Sequence, residues 1–341
     1  MAITGAGTET DPYLVSTAEE LRMCLESDDS GDYPGQYIQL AKNIDKVGDK
    51  LTGTYITGVK TLLGNGEGKN KIRNIWLSNA FLFIKRSNNS FTIKGIHFEN
   101  LDIGGTGAAC SIIDGWDAST TNLVDCSLHI HVFSVASGIH IFNCNDWSRV
   151  VLERTEILLF TDKSTVQGNN AVFNPNLYVI VKRAANHYGS IKQSRIVYDF
   201  TMYPTDNAIN FSLIPSGMAS RNFICADSYF IVKNNTDYSN QHCTINVLGE
   251  GDGDLQLDHC YITTIGNNTR KVNAQRDYPT TGAYHINNLL LDAGELNSDT
   301  FTKEWDMGSY SMPGVKQLTT AQLKDPDYLN SIYWYVNKEG E

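Results

Sequence analysis

The stretch NLVDCSLHIHV, residues 122–132, sets the pattern on which the fold prediction rests. It reads as a strand whose polar face carries Ser127, His129 and His131, and whose apolar face carries Leu123, Leu128, Ile130 and Val132. Nearly the same pattern returns about every thirty residues, and a period of that length is typical of repeat architectures. We therefore expect the fold to follow from the repeat rather than from any single segment.

The repeat is easiest to follow from Cys126, a small residue with an apolar residue three positions before it and others two and four positions after it. Between consecutive markers of this kind lies a second β-like run, such as GIHIF at 138–142 or LYVIV at 177–181. Each repeat is thus predicted to contain two strands joined by polar connections of variable length. The marker recurs at Thr155, Ser194, Asp227 and Cys260, and more loosely at Ile96 and Leu289.

A constant strand core with variable connections predicts an all-β fold, a single-stranded right-handed parallel β-helix in which each repeat makes one turn. Strands of successive turns would pair at about 4.8 Å, so that seven or so turns give a rod on the order of 35 Å long. A β-sandwich is the alternative. It needs hairpins, however, and the hairpin-like signals are limited to GNG at 64–66 and GDG at 251–253.

The composition is that of a folded acidic protein. Hydrophobic residues make up 41% of the chain, and the net charge of −11 argues against a nucleic-acid-binding surface. We expect no membrane insertion, because the sequence holds no long uninterrupted apolar stretch. The opening MAITGAGTETDPY has neither the basic start nor the apolar run of a secretory signal, so synthesis in a cytoplasm without export is expected.

The seven cysteines have irregular spacing and no CxxC motif. An odd number with irregular gaps argues against a disulfide framework. We expect the cysteines in the strands to act as small apolar residues that fill a layer of the core, namely Cys110, Cys126, Cys243 and Cys260.

Both ends of a parallel β-helix expose strand edges, so each end should carry a cover. At the front, DPYLVSTAEELRMCL predicts a short strand at 13–15 followed by an amphipathic helix with a Ser16–Glu19 capping box. QYIQLAKNID then predicts an edge strand. The predicted organisation is a capping segment with the first turns at 1–75, β-helix repeats at 76–298 and a C-terminal tail at 299–341.

Several of these segments carry a family resemblance. GAGTETDPYLVSTAEELRMCL, GQYIQLAKNID, LLGNGEGKNKIRNIWL and FTIKGIHFENLDI together resemble the opening of GLUG-like, pectate-lyase-like β-helix proteins of bacterial surfaces and bacteriophage virions. The closing GVKQLTTAQLKDPDYLNSIYWYV resembles the tail of that family, which implies a short helix at LTTAQLKD and a final aromatic strand. Surface members usually carry an export signal and a wall anchor. Since the sequence shows neither, the resemblance favours the virion branch, whose members assemble in the host cytoplasm.

No catalytic residues, metal ligands or cofactors are predicted. An enzyme on this fold needs clustered carboxylates on neighbouring turns, whereas the adjacent pair Asp28 and Asp29 lies in the front loop and reads as a solvated turn. GEGDGDLQLD at 249–258 lacks the glycine and distal glutamate of an EF-hand loop and reads as a tight acidic turn. His129 and His131 share one strand face and His140 lies on the next strand, but without a third ligand we expect solvated or hydrogen-bonded roles.

A carbohydrate-binding site is the one candidate site in the sequence. Trp116 lies beside Asp117 in DGWDAST, and Trp147 lies beside Asp146 in NCNDWSR one repeat later. The two indoles could stack as a sugar-binding strip on the flank of the rod. The alternative is that each tryptophan anchors its own loop.

The sequence favours a structural or attachment subunit of a bacteriophage virion, such as a head fibre, collar or tail appendage. The expected partners are other virion proteins, further copies of the chain in a homo-oligomer with a trimer favoured, and a host-surface glycan. A polysaccharide lyase or hydrolase acting as a depolymerase, or a bacterial surface adhesin, is the alternative.

Overall fold

The chain coils into a parallel β-solenoid, which confirms the all-β prediction. The computed structural model describes residues 3–45, 50–65, 70–78, 80–86, 89–105, 110–135, 139–144, 148–160, 176–182, 187–200, 209–212, 220–234, 243–248, 255–258, 260–266, 269–274, 284–287, 289–293 and 315–317.

The strands form three sheets, in which neighbouring strands are parallel. Sheet A contains β1 (Tyr13–Val15), β2 (Tyr37–Leu40), β4 (Lys60–Leu63), β7 (Ser90–Lys94), β10 (Thr120–Val124), β13 (Arg149–Glu153), β16 (His187–Lys192), β19 (Ser220–Ala226), β22 (Leu255–Asp258) and β25 (Tyr284–Asn287). Sheet B contains β5 (Asn70–Ser78), β8 (Ile96–Gly105), β11 (Ser127–Val135), β14 (Glu156–Phe160), β17 (Arg195–Phe200), β20 (Tyr229–Asn234), β23 (Tyr261–Gly266), β26 (Leu289–Ala293) and β27 (Val315–Gln317). Sheet C contains β3 (Thr54–Ile56), β6 (Phe81–Lys85), β9 (Ser111–Gly115), β12 (Ile139–Cys144), β15 (Asn176–Lys182), β18 (Ile209–Ser212), β21 (Cys243–Leu248) and β24 (Thr269–Ala274).

From β4 to β24, each turn uses three strands, one from each sheet in the order A, B, C, so the prediction of two strands per repeat was wrong. The quoted stretch at 122–132 is not one strand, because a corner at Asp125 and Cys126 separates β10 from β11. In a straight strand, Leu123 and Leu128 would face opposite sides. The corner lets both point inward, where each is at most 1% exposed.

The corner between sheets A and B has a left-handed backbone in successive turns. The residue before the small marker has a φ of 67° at Gly95, 55° at Asp125, 47° at Arg154, 49° at Gln193 and 49° at Asp227. The corner also continues the pairing between turns, since the Asp125 amide donates to the Glu153 carbonyl at 3.1 Å and the Arg154 amide to the Lys192 carbonyl at 3.0 Å.

The small markers stack on one another just after this left-handed residue. Cys126, Thr155, Ser194 and Cys260 are buried as predicted, but the marker assigned to Asp227 was wrong by one position. Asp227 is the exposed left-handed residue, and Ser228 is the buried one, because Tyr229 pairs with Arg195 and so aligns Ser228 with Ser194.

Apolar ladders run along the inside of the coil. One in sheet A and one in sheet B consist of residues that are at most 1% exposed: Leu62, Ile93, Leu123, Leu152 and Ile191, and Ile72, Phe98, Leu128, Ile157, Ile196 and Phe230. The described cysteine side chains join this core as free thiols: Cys110, Cys126 and Cys260 do so as expected, and Cys24 and Cys225 do so as well. Cys126 and Cys260 lie at corners and Cys110 immediately precedes β9, so none of these three lies within a strand, and the side chain of Cys243 lies outside the described residues.

The predicted helix α1 (Ala18–Glu26) covers the first turn. Its N-cap is Thr17 rather than Ser16: the Thr17 hydroxyl accepts from the Glu20 amide at 3.2 Å and Glu20 Oε2 accepts from the Thr17 amide at 3.1 Å. The predicted partner Glu19 instead contacts Lys50. The predicted edge strand, β2, lies between β1 and β4, so β1 is the terminal strand of sheet A.

The C-terminal tail extends sheet B through β27, which pairs with β26. The helix expected at LTTAQLKD lies outside the described residues. The domain boundaries at residues 75 and 298 stay a prediction. The right-handed sense of the coil is expected from the general preference of parallel crossovers.

Candidate functional site

No metal centre is formed by the residues that the structure describes, because none of their His, Cys, Asp and Glu side chains gather in groups of three or more. Asp28 belongs to a turn as expected. Its Oδ1 accepts from the Ser30 hydroxyl at 2.8 Å and from the Ser30 amide at 2.9 Å, and these hydrogen bonds lower the pKa of Asp28. In the predicted acidic turn, only Leu255–Asp258 is described, as β22. Among the described helices, none is both long and apolar enough to cross a membrane.

The two histidines of the quoted stretch lie on the outer face of sheet B and make polar contacts, as predicted. His131 Nδ1 lies 2.8 Å from Asp102 Oδ1, and its ring stacks on Phe160 with centroids 5.2 Å apart. His129 Nε2 lies 3.5 Å from Glu156 Oε1, and Glu156 also accepts from Arg195 at 3.0 Å. The side chain of His140 lies outside the described residues.

Residues from four successive turns form a line on this face that sequence reasoning missed. Strand register places Trp76 beside Asp102, Asp102 beside His131, and His131 beside Phe160. We call these four residues the sheet B line. Trp76 is 53% exposed, whereas the side chains of His131 and Asp102 are 14% and 34% exposed, so the line offers an exposed indole beside a partly buried carboxylate and imidazole. These residues follow their corner markers at similar distances, and this spacing was the signal that the sequence offered. A β-bulge at Asn100 obscures the signal, because it moves Asp102 one residue further from its marker.

The candidate Trp116 is held rigidly at the end of β9. Its indole Nε1 donates to Asp114 Oδ2 at 2.6 Å, and its amide donates to the Lys85 carbonyl at 2.7 Å. Asp114 is 2% exposed, and its other oxygen accepts from Asn143 Nδ2 at 2.6 Å. The partner of the indole is therefore Asp114, whereas the neighbouring Asp117 is exposed.

The predicted pairing of Trp116 with Trp147 stays a prediction, because Asp146 and Trp147 lie outside the described residues. The described neighbour of Trp116 is Arg86, which follows β6 on the adjacent turn. Its guanidinium carbon lies 5.7 Å from the Trp116 ring centroid and 5.6 Å from that of Tyr55. We call Tyr55, Arg86 and Trp116 the Arg86 sandwich.

Two lysines lie inside the coil next to this region. Lys85 Nζ donates to the Gly58 carbonyl at 2.8 Å, and Lys60 Nζ donates to the Gly35 carbonyl at 3.0 Å. Burial, followed by the charge of Lys60, lowers the pKa of Lys85 to about 8, and burial also lowers the pKa of Lys60. Burial raises the pKa of the nearby Cys24 thiol to about 12, so Cys24 is not a nucleophile at neutral pH.

In comparisons with known proteins, no family model, no curated protein and no solved structure matches this chain. The parallel β-solenoid is therefore what is shown, and the finer family resemblance of the two ends stays a prediction.

Proposed function

We propose that this chain is a structural and attachment subunit of a bacteriophage virion, of the kind that forms a head fibre, collar or tail appendage. The observation that carries the proposal is the continuity of the three parallel sheets, with α1 over the first turn. A solenoid of this kind is a rod whose length is set by its number of turns. The resemblance of the two ends to virion and surface β-helix proteins supports the same assignment.

The described corners suit a load-bearing rod. Successive turns are tied by hydroxyl groups as well as by backbone pairing: Ser194 Oγ donates to the Lys192 carbonyl at 2.7 Å and accepts from the Thr155 amide at 3.1 Å. Ser228 repeats the arrangement one turn later, with its hydroxyl donating to Ala226 at 2.7 Å and accepting from the Ser194 amide at 3.2 Å. Such contacts resist sliding of one turn over the next, because each buried hydroxyl donates to a carbonyl of its own turn and accepts from an amide of the preceding turn.

The proposed partners are other virion proteins and further copies of this chain, with a trimer about the rod axis favoured. Size-exclusion chromatography with light scattering measures the number of chains. The same sample is incubated with a panel of bacterial surface polysaccharides, and their reducing ends and unsaturated sugars are assayed. A stable oligomer that leaves every glycan intact is expected. A strictly monomeric chain that cleaves a glycan would overturn the proposal.

A second candidate is a polysaccharide lyase or hydrolase, which the sheet B line favours. Asp102 accepts a hydrogen bond from the His131 imidazole, an arrangement that orients the ring for proton transfer through its other nitrogen. The adjacent Trp76 offers an apolar face to a sugar ring. If this candidate holds, His131→Asn abolishes glycan cleavage while the fold is kept. The third candidate, a bacterial adhesin, predicts that antibodies label intact bacterial cells rather than purified phage particles.

A further inference from the structure

We propose that the Arg86 sandwich is an anion-recognition site that binds a carboxylate or phosphate group carried by a bacterial surface polymer. It uses Arg86 as the charged contact and the rings of Tyr55 and Trp116 as the walls. The proposal takes its biological setting, host attachment, from the proposed function. Binding itself is independent of that setting and is measured on the isolated chain.

The first argument is that Arg86 has no partner for its charge among the residues that the structure describes. Four other arginines in the described part of the chain are committed to carboxylates, and they are Arg22, Arg73, Arg154 and Arg195. Arg86 is exposed, and within the described residues it makes no hydrogen bond or ion pair. Its N–H donors are therefore available to a ligand.

The second argument is that the Trp116 indole and the backbone of Tyr55 are held in place before a ligand arrives. Trp116 is held by the hydrogen bonds to Asp114 and to the Lys85 carbonyl described above. Tyr55 belongs to β3, which pairs with β6, and its amide donates to Glu26 Oε1 of the capping helix at 3.3 Å. A guanidinium that already lies over two aromatic rings loses less freedom on binding than a fully extended one, which favours affinity.

The third argument concerns the chemistry of the ligand. A guanidinium presents a planar fork of N–H donors that matches a carboxylate or a phosphate, and stacking on aromatic faces leaves the edge of that fork free. Tyr55 is 45% exposed, so its ring offers an apolar surface beside the charge. An oxyanion attached to a sugar or polyol can pair with the guanidinium and also pack on the apolar ring. A neutral polymer can pack on the ring but cannot pair with the guanidinium.

The net charge of the chain sharpens the expectation. At −11, the protein as a whole repels anionic polymers, so any binding has to come from a local contact rather than from general attraction. A single substitution at that contact should consequently remove most of the affinity.

The test measures binding of the full chain to oligogalacturonate, to polyglycerol phosphate and to neutral dextran by biolayer interferometry. We expect the wild type to bind one or both anionic polymers more tightly than dextran, and Arg86→Gln to weaken that binding at least about tenfold. Arg86→Lys keeps the positive charge but lacks the planar fork of donors, so its affinity for the anionic polymers should lie between those of the wild type and Arg86→Gln. Arg154→Gln removes an equal charge at the corner between sheets A and B and should bind like the wild type.

The two anionic polymers separate the sources of the ligand group. Binding of oligogalacturonate alone assigns a carboxylate, binding of polyglycerol phosphate alone assigns a phosphate, and binding of both assigns the shared oxyanion. The proposal is overturned if neither polymer binds better than dextran, or if Arg86→Gln binds like the wild type. Thermal melting confirms that the variants are folded, and light scattering of Arg86→Gln separates loss of polymer binding from loss of assembly.

Discussion

At the residue scale, the inward lysines show how much polarity this coil accepts. Lys85 lies on the same strand face as Phe83, and both are fully buried. The amino group is satisfied by carbonyl oxygens at the corner between sheets C and A, including that of Gly58. Removing a charge from water remains costly even with such partners, which is why the pKa of Lys85 falls.

The lowered pKa of Lys85 predicts a stability that rises with pH. Below about pH 8, both the folded and the unfolded chain bind the proton, so the cost of the buried charge is present in full. Between about 8 and the ordinary value of 10.5, the folded chain releases the proton first, and folding becomes more favourable. From pH 7 to pH 10, the unfolding free energy of the wild type should rise relative to Lys85→Met by up to about 2.5 kcal/mol, and by less to the extent that solvent screens the amino group.

Urea unfolding at the two pH values checks this prediction. The exposed Lys42→Met is the control for loss of a lysine, and its difference from the wild type should be the same at both pH values. If the difference in unfolding free energy between the wild type and Lys85→Met were also the same at both pH values, the lowered pKa of Lys85 would be contradicted.

The corner hydroxyls predict a second effect at this scale. Ser194→Ala removes the donor to Lys192 and leaves the buried Thr155 amide without its acceptor, so we expect a loss of about 1–3 kcal/mol in unfolding free energy. Ser194→Cys should lose less, because Cys126 and Cys260 occupy the same position in other turns. The exposed Ser78→Ala is the matched control, and equal urea midpoints for all three variants would refute the role of the hydroxyl.

At the scale of elements, the N-terminal helix is the cover of the first turn. Its buried face consists of Ala18, Leu21, Cys24 and Leu25. The Thr57 amide donates to the Leu25 carbonyl at 3.0 Å, and Arg22 donates to the Lys50 carbonyl at 3.2 Å, so the helix is tied to the chain on both sides of β3. Its stability therefore protects the open end of the core.

The capping box gives the test for this element. Thr17→Ala should lower the unfolding free energy by about 1 kcal/mol, because the first-turn amide of Glu20 loses its acceptor. Ser16→Ala serves as the control, and it should change stability by a few tenths of a kcal/mol at most since its side chain does not cap the helix. Chemical denaturation measures both. A larger effect at Ser16 would restore the capping box expected from the sequence.

At the scale of the whole molecule, stability is expected to pass from turn to turn. Each strand pairs with the equivalent strands of the turns before and after it, so a defect in one turn weakens its neighbours first. Leu123 lies in the sheet A ladder between Ile93 and Leu152, and all three are at most 1% exposed. This ladder is the place to test that expectation.

Leu123→Ala should cost about 2–5 kcal/mol through lost burial and a cavity. Hydrogen exchange followed by mass spectrometry should show lost protection in β10 first, then in β7 and β13, with β1 and β2 least affected. Val124→Ala, on the outer side of the same strand, is the control and should leave the exchange pattern almost unchanged. A uniform loss of protection along the chain would show a single cooperative unit instead.

The sequence by itself determined that the chain is a parallel solenoid, because stacked turns require the same apolar positions and small corner residues to recur with one period. The corner markers at Cys126, Thr155 and Ser194 were therefore visible in advance. The left-handed residues before them were not, since Asp125, Arg154 and Gln193 share no side-chain type. Because these residues mark the corners, the sequence did not show where one strand ends and the next begins. The third strand of each turn and the position of Ser228 were therefore established only by the structure.

The candidate sites depended on tertiary structure to a greater degree. Trp116 stood out by its residue type, but Arg86, which lies over its ring, and Asn143, which donates to its partner Asp114, come from neighbouring turns. The sheet B line likewise joins residues of four turns. A period reveals which residues occupy equivalent places, whereas the lengths of the connections and the bulges decide which side chains meet. Side-chain chemistry between turns is therefore decided by register, which only the folded chain establishes.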